Sequence, residues 1–306
     1  MRKILFYLFI LKKLFLLLIY PLFEKNGKLF NTIRKNIENY LVFQPSKLRA
    51  KRIQRELLKK FTPIRFINSD GIKLYAWFIK PTKDKPTILH LHGQAESILS
   101  HQDIASFCIE NGFGLFLLSY RGHYKSAGKA SEQGVYNDAQ SAINQLKQLG
   151  VDKDKIIVWG HSLGSIIAIE TASKNKVSGL ILQSPIKEIK TAAIDVSNFY
   201  YKRLRLDFFA RFADKHISKM EFLQKFDGIN KISKVNCPIL IMHAKTDKIA
   251  PYKNSVALAE ETQNAELYLS DIGTHWDSFW ALKKAFKFIE NIDNLNLQKS
   301  EKLNKI

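Results

Sequence analysis

One short run, residues 155–165, constrains the fold of this 306-residue chain more than any other feature. An apolar, β-branched stretch leads directly into Gly-x-Ser-x-Gly at residues 160–164, and an apolar segment with a helical pattern follows at residues 166–172. This pattern predicts a strand, a sharp turn with Ser162 at its apex, and a helix. In such a turn the serine takes a strained backbone conformation that exposes its hydroxyl, and the two glycines leave room for the neighbouring backbone.

A serine hydroxyl is a weak nucleophile unless a base takes its proton and an acid orients that base. After a strand–serine–helix turn, the acid and then the histidine are expected further along the chain. Asp247 leaves the predicted strand 238–243, and His275 lies in the loop after the predicted strand 265–269. Because parallel strands end at one edge of a sheet, the sequence predicts that Ser162, Asp247 and His275 meet there as a catalytic triad.

Other candidates for these roles have weaker support. Asp271 lies close to His275 but belongs to the histidine's own loop. His243 falls inside the strand-like run and is typical of a core or rim histidine. His161 directly precedes the serine, and we expect its side chain to point away from the hydroxyl.

Acyl transfer also needs donors for the negative oxygen that develops in the transition state. The backbone N–H of Leu163, at the predicted helix start, is one candidate. The second should come from the loop after an earlier central strand, and residues 87–91 read as that strand. His-Gly at residues 92–93 follows it, so the N–H of Gln94 is the second predicted donor.

Taken together, these motifs resemble the α/β-hydrolases in their order along the chain. The stretch Ser-Tyr-Arg-Gly-His-Tyr-Lys-Ser-Ala-Gly at residues 119–128 is similar to a narrower group, the membrane-anchored α/β-hydrolase-domain proteins. That group includes lysophospholipase-like and protein-depalmitoylating serine hydrolases. The resemblance covers about residues 40–290 and implies an α/β-hydrolase fold that acts on acyl substrates without a cofactor.

The order of strands and helices predicts one α/β domain over residues 61–293, with a mostly parallel central sheet covered by helices on both faces. Residues 187–231 are helical in pattern and rich in aromatic residues. They predict a small helical cap over Ser162, or alternatively ordinary packing of helices on the sheet. Residues 24–60 are predicted as a basic helical linker and residues 294–306 as a polar tail. The predicted central strands are 87–91, 114–119, 155–159, 179–183, 238–243 and 265–269.

The net charge of +20 is concentrated at the amino-terminal end, where residues 1–60 hold 15 Lys and Arg against 3 Asp and Glu. Residues 1–23 are mostly apolar but contain two adjacent lysines near their centre. We expect this segment to attach the protein to a membrane, by spanning it or lying in the interface, and a cleaved signal peptide is the third alternative. The basic residues that follow favour a cytoplasmic catalytic domain. A nucleic-acid partner is disfavoured because no recognition motif accompanies the charge.

The residues and the resemblance together predict a membrane-associated serine hydrolase that cleaves carboxylic ester or thioester bonds through an acyl-enzyme. The predicted partners are a small-molecule or lipid acyl substrate and the membrane surface. No metal or organic cofactor is expected. A peptidase, an amidase or an acyltransferase would use the same residues, and a non-catalytic lipid- or partner-binding module is the remaining alternative. The oligomeric state, the acyl chain and the head group are not predicted.

Overall fold

The architecture is that of a single mixed sheet covered by helices. A computed structural model describes residues 12, 14–16, 19–20, 27–43, 55–82, 84–276 and 279–303. The predicted membrane-attachment segment, residues 1–23, therefore lies largely outside the described residues. Among the helices that are described, none is both long and apolar enough to cross a membrane.

In the described part of the chain the sheet has eight strands in the order β1-β2-β4-β3-β5-β6-β7-β8. The strands β3 to β8 run parallel, and the hairpin of β1 and β2 joins the edge through an antiparallel pairing of β2 with β4. The bounds are β1 Thr62–Ile67, β2 Lys73–Ile79, β3 Thr87–Leu91, β4 Gly114–Ser119, β5 Ile156–His161, β6 Gly179–Gln183, β7 Ile239–Ala244 and β8 Ala265–Ser270. The expected mostly parallel sheet is confirmed. Each predicted central strand begins within one residue of the observed first residue and ends within two residues of the observed last one.

Helices cover both faces of this sheet, as the sequence predicted. The bounds are α1 Lys28–Val42, α2 Arg55–Lys59, α3 Gln102–Glu110, α4 Glu132–Gln148, α5 Leu163–Lys174, α6 Ile189–Arg203, α7 Asp207–Ser218, α8 Lys253–Glu260 and α9 Phe279–Leu303. Helix α9 continues to Leu303, into the region 294–306 that the sequence predicts as a polar tail. Its glutamine, lysine, leucine and glutamate residues all favour a helix, which explains why polarity alone did not end it.

The hydrophobic core lies on the two faces of the sheet, and alternating residues of one strand contribute to the two faces. In β5, Ile156 and Val158 belong to the cluster on one face, whereas Ile157 and Trp159 belong to the cluster on the other. All four side chains are completely buried. A strand buried on both faces reads as a continuous apolar run, and that run is the signal that predicted β5.

Between β6 and β7 the helices α6 and α7 form an antiparallel hairpin within the predicted cap region 187–231. Residues of α6, among them Ile189 and Ala192, line the cavity that contains Ser162. Part of the aromatic content that suggested a cap packs inward, since Phe222 and Phe226 are buried.

The amino-terminal residues are tied to the cap by one buried carboxylate. Glu38 of α1 is fully buried and accepts the backbone N–H groups of Leu223, at 2.6 Å, and of Gln224, at 2.9 Å. The phenol of Tyr20 also donates to Glu38, and Arg34 donates to the backbone carbonyl oxygen of Glu221 in the same loop after α7. The predicted linker therefore holds this loop in place.

A second buried charge network joins the β1–β2 turn to the loop after β4. The guanidinium of Arg121 donates to Asp138 at 2.8 Å and to Asp70 at 2.5 Å. Asn68 donates to the same Asp138 carboxylate at 2.6 Å. Because the Asp138 side chain is completely buried, its charge depends on these partners.

We expect Asp138→Ala to lower the free energy of unfolding by about 3–5 kcal/mol, because the substitution leaves the Arg121 charge buried without its main partner. Urea unfolding followed by circular dichroism measures this. Glu56→Ala is the control, since the Glu56–Lys59 pair has side chains 81% and 70% exposed, and we expect a change within about 0.5 kcal/mol. Equal losses in both variants would contradict this assignment.

Candidate active site

The turn at Ser162 has the strained geometry that the sequence predicted. Ser162 lies between β5 and α5 with φ 51° and ψ −121°, outside the conformations that residues other than glycine usually adopt. A Cβ at Gly160 would overlap the backbone of α5, and a Cβ at Gly164 would overlap the carbonyl oxygen of Leu91. The two glycines therefore let helix and strand approach closely enough to hold the serine in this conformation.

The structure brings Ser162, His275 and Asp247 into one chain of hydrogen bonds. The Nε2 atom of His275 lies 3.0 Å from the Oγ of Ser162, and its Nδ1 lies 2.7 Å from Oδ2 of Asp247. Asp247 follows β7 and His275 follows β8, so both reach the same edge of the sheet as Ser162. Since a carboxylate only accepts, Nδ1 carries the proton and Nε2 is left to accept from the serine.

The Asp247 carboxylate is held in its ionised form by several donors. Burial alone raises its pKa, but hydrogen bonds from His243 and His275 outweigh burial and bring the pKa well below its usual range. The backbone N–H groups of Ile249 and Ala250 also donate to Oδ1, at 2.8 and 3.0 Å. An acid held in this way keeps one orientation for the histidine.

Neighbouring charges shift the pKa of His275 in opposite directions. Burial lowers its pKa below the usual value, Asp247 acts to raise it, and the charge of His161 lowers it further. The net effect is a histidine that is neutral at neutral pH and thus able to accept a proton.

His243 was predicted as a core or rim histidine, and the structure gives it a more specific place. Its Nε2 lies 2.8 Å from the carbonyl oxygen of Ala250 and 3.2 Å from Oδ2 of Asp247, while Nδ1 lies 2.7 Å from the hydroxyl of Ser255. Because both partners of Nε2 are acceptors, this nitrogen donates to each. His243 therefore supports the acid of the site. The rival acid Asp271 is 84% exposed and pairs with Lys245.

The two predicted oxyanion donors, Gln94 and Leu163, line the same cavity as Ser162. Leu163 is the first residue of α5, and the first N–H groups of a helix have no partner within it. The side chain of Gln94 donates to the carbonyl oxygens of Leu41 and Val42 at the end of α1. This tether fixes the loop that carries the Gln94 N–H, and no motif in the sequence pointed to it.

The cavity at Ser162 measures about 270 Å³ and is mostly apolar. Its walls come from the sheet edge, from α6 and from α1, and Leu14 of the amino-terminal segment also lines it. Trp276 lines it while remaining 64% exposed, which puts the indole at the mouth. A mostly apolar space beside the Ser162 hydroxyl suits an acyl chain or a similar group.

Comparison with known proteins finds related sequences. Residues 82–227 match the Hydrolase_4 family, described as "Serine aminopeptidase, S33". The protein YfhR of Escherichia coli K12 is 29% identical over 229 residues, covering 71% of this chain and 74% of YfhR. The α/β-hydrolase domain-containing protein WAV2 of Arabidopsis thaliana is 31% identical over 192 residues, covering 60% of this chain and 61% of WAV2.

Solved structures show the same fold. The Pyrococcus furiosus esterase Pf2001 superposes with a TM-score of 0.66 at 18% identity, covering 82% of this chain and 98% of the esterase. The sheet order, the strained serine turn and these likenesses agree with one another. The chain has the fold of the α/β-hydrolases and is similar in sequence to members of that superfamily.

Proposed function

We propose that this protein is a serine hydrolase that cleaves carboxylic ester or thioester bonds whose acyl part is apolar. One observation carries the proposal: the hydrogen-bonded chain from Ser162 through His275 to Asp247 opens into a mostly apolar cavity. A binding module without catalytic activity would need neither the strained serine nor the ordered pair behind it.

In the acylation half of the reaction, the Oγ of Ser162 attacks the substrate carbonyl carbon and its proton passes to Nε2 of His275. The carbonyl oxygen becomes negative and accepts the N–H groups of Gln94 and Leu163. When the carbon–oxygen or carbon–sulfur bond breaks, His275 returns the proton to the leaving alcohol or thiol. Asp247 keeps the imidazole in place and stabilises its positive charge.

In the deacylation half, water takes the place of the alcohol or thiol. His275 removes a proton from water as the hydroxide oxygen bonds to the acyl carbon. The ester bond to Ser162 then breaks, and His275 gives the proton back to the serine. The products are a carboxylic acid and the unmodified enzyme, so the reaction balances with water as the only co-reactant.

The volume of the cavity supports an acyl group of modest size. At about 270 Å³ it lies near the lower end of small-molecule pockets, which run from about 300 to 1,000 Å³. Ala193 of α6 is half-buried at its wall, so the length of this wall residue bears on the space that the acyl chain can use.

We place the reaction at a membrane surface, and the cap supports this part of the proposal. Phe208 and Phe212 of α7 are 84% and 61% exposed. The basic residues Lys202, Arg203 and Arg211 are exposed on the same helical hairpin. Exposed aromatic residues interleaved with cations are typical of helices that lie in the interface of an anionic bilayer. The basic amino-terminal region adds to the same attraction.

A second candidate function, release of an amino-terminal residue from a peptide, is favoured by one side chain. Asp195 lines the cavity, and its Oδ2 atom accepts a hydrogen bond from the side-chain amide of Asn254 at 3.1 Å. Its carboxylate could pair with the ammonium group of a peptide. The description of the matching family as a serine aminopeptidase points the same way.

We expect Ser162→Ala to abolish labelling by a fluorophosphonate probe and to lower ester and thioester hydrolysis by about 10⁴-fold or more, because the nucleophile is gone. Gel fluorescence and steady-state rates measure this. Ser173→Ala, at the far end of α5, is the matched control and should behave as wild type. Retained labelling in Ser162→Ala would contradict the proposal, and wild-type cleavage of aminoacyl anilides faster than acyl esters would favour the aminopeptidase.

We expect Ala193→Phe to shorten the acyl chain that the enzyme accepts, because the larger side chain fills the cavity wall. The kcat/KM for an octanoyl ester should fall about tenfold or more, whereas that for an acetyl ester should stay within about threefold. Rates on a series of acyl lengths measure this. The acetyl ester is the internal control, and equal losses at every length would show that the cavity does not hold the acyl chain.

We expect the double variant Phe208→Ser, Phe212→Ser to bind phosphatidylserine-containing vesicles about tenfold more weakly, because two exposed rings no longer enter the interface. Co-sedimentation of the full chain measures this. Ile67→Ser is the control, since Ile67 is 66% exposed in the β1–β2 hairpin. Unchanged binding of the double variant would remove α7 from the membrane-facing surface.

A further inference from the structure

Directly behind the candidate triad lies a buried cluster of ionisable side chains that the mechanism above does not use. Glu96 belongs to the loop after β3, and His161 is the last residue of β5, next to the serine. They are only 8% and 3% exposed. Within the described residues no group of three or more histidine, cysteine and acidic side chains is placed to hold a metal ion, so the cluster needs another explanation.

The contacts of these two residues connect two parts of the site. The Oε2 atom of Glu96 accepts the backbone N–H of Gly93 at 2.6 Å and lies 2.9 Å from Nδ1 of His161. The Nε2 atom of His161 lies 2.7 Å from the backbone carbonyl oxygen of His275. One continuous chain of hydrogen bonds therefore runs from the loop that carries Gln94 to the histidine of the triad.

The partners determine where the protons lie. A carbonyl oxygen only accepts, so Nε2 of His161 donates to His275. Oε2 of Glu96 already accepts from Gly93, and as an ionised carboxylate it accepts from Nδ1 of His161 as well. With a proton on each ring nitrogen, His161 is an imidazolium paired with the Glu96 carboxylate.

The electrostatic surroundings favour the same state. Burial lowers the pKa of His161, but the charge and the hydrogen bond of Glu96 outweigh it and raise the pKa above the usual value. Burial raises the pKa of Glu96, but the charges of His161 and His101 bring it well below the usual value. Each member of the pair therefore keeps the other charged inside the protein.

We propose that Glu96 and His161 form a buried ion pair that positions the active site from behind, holding the oxyanion loop through Gly93 and the catalytic histidine through the backbone of His275. This inference rests on the proposed serine hydrolase function. Neither residue touches the substrate in this assignment, so both are positioning residues. Holding the two loops in register places the oxyanion donors and the base around one carbonyl group.

The ion pair also affects the basicity of the catalytic histidine. The charged and titratable groups that face His161 are Glu96 from the loop after β3, His90 from β3, His101 at the start of α3, and His275 and Asp247 from the site. The His161 cation lowers the pKa of His275 more than Glu96 raises it. Removing the cation should therefore raise the pKa of His275, whether or not Glu96 stays ionised.

Two substitutions of His161 separate its two contacts. In His161→Asn the amide lies near the position of Nδ1 and can contact only Glu96. In His161→Gln the longer amide reaches the position of Nε2 and can still donate to the carbonyl of His275. The change His216→Gln, at a half-buried position of α7 outside the cavity, is the matched control.

The test measures kcat, KM and the pH profile of kcat/KM on a soluble ester, with thermal unfolding to check folding. We expect His161→Asn to lower kcat about tenfold to a hundredfold with KM within about threefold, and His161→Gln to recover part of the loss. In His161→Gln the acidic limb of the profile should move to higher pH by about half a unit or more. Glu96→Gln combined with His161→Gln should be no worse than the poorer single variant.

Nitrogen NMR of the wild-type histidines gives a measurement that does not depend on the folding of any variant. Both ring nitrogens of His161 should carry protons at pH 7. A neutral His161 in the wild type would overturn the proposal, as would wild-type kcat and pH profiles in both His161 variants. If the wild type neither hydrolyses esters nor reacts with the fluorophosphonate, the proposed function itself is wrong and this inference fails with it.

Discussion

The site depends on the close approach of two backbone segments, the end of β3 and the start of α5, with no side chain between them. At the start of α5, Gly164 lies against the carbonyl oxygens of Leu91 and His92 at the end of β3. Gly93 lies against Ser162, so that a Cβ there would come within 2.9 Å of the serine's own Cβ. Because β3 and β5 are neighbours in the sheet, this close approach brings the two candidate oxyanion donors to the same side of the nucleophile. A larger residue at either glycine would separate them.

Most of the fold and the order of the candidate triad could be predicted because their signals are local. A buried strand is a continuous apolar run, a nucleophile turn is five residues, and the parallel arrangement brings Asp247 and His275 to the serine without further information. The contacts of His161 could not be predicted, because its partner Glu96 is 65 positions away and no pattern in the sequence joins them. The same holds for the tether from Gln94 to the end of α1. The end of α9 could not be predicted either, because polar residues that favour a helix continue it to Leu303.

Two buried carboxylates, Asp247 and Asp138, each accept hydrogen bonds from several donors at once. Asp247 receives two histidines and two backbone N–H groups, and Asp138 receives Arg121 and Asn68. In a low-dielectric interior each such carboxylate is costly to bury alone, and its hydrogen-bond partners offset that cost. This links loops that are distant in sequence, because the loss of any one donor leaves the remaining charge exposed to the apolar surroundings. The position of Asp247, and with it that of His275, therefore depends on several loops at this edge of the sheet.

The buried carboxylate of Glu38 has a practical consequence for work with this protein. A common way to improve solubility is to remove the apolar amino-terminal residues and to begin the chain at β1. That shortened protein would lack the acceptor for the Leu223 and Gln224 N–H groups, and it would also lack Leu14, Leu41 and Val42 from the wall of the cavity. Any activity of such a fragment would be that of a pocket with one wall missing. Substrate profiles from such a fragment would therefore describe a different enzyme.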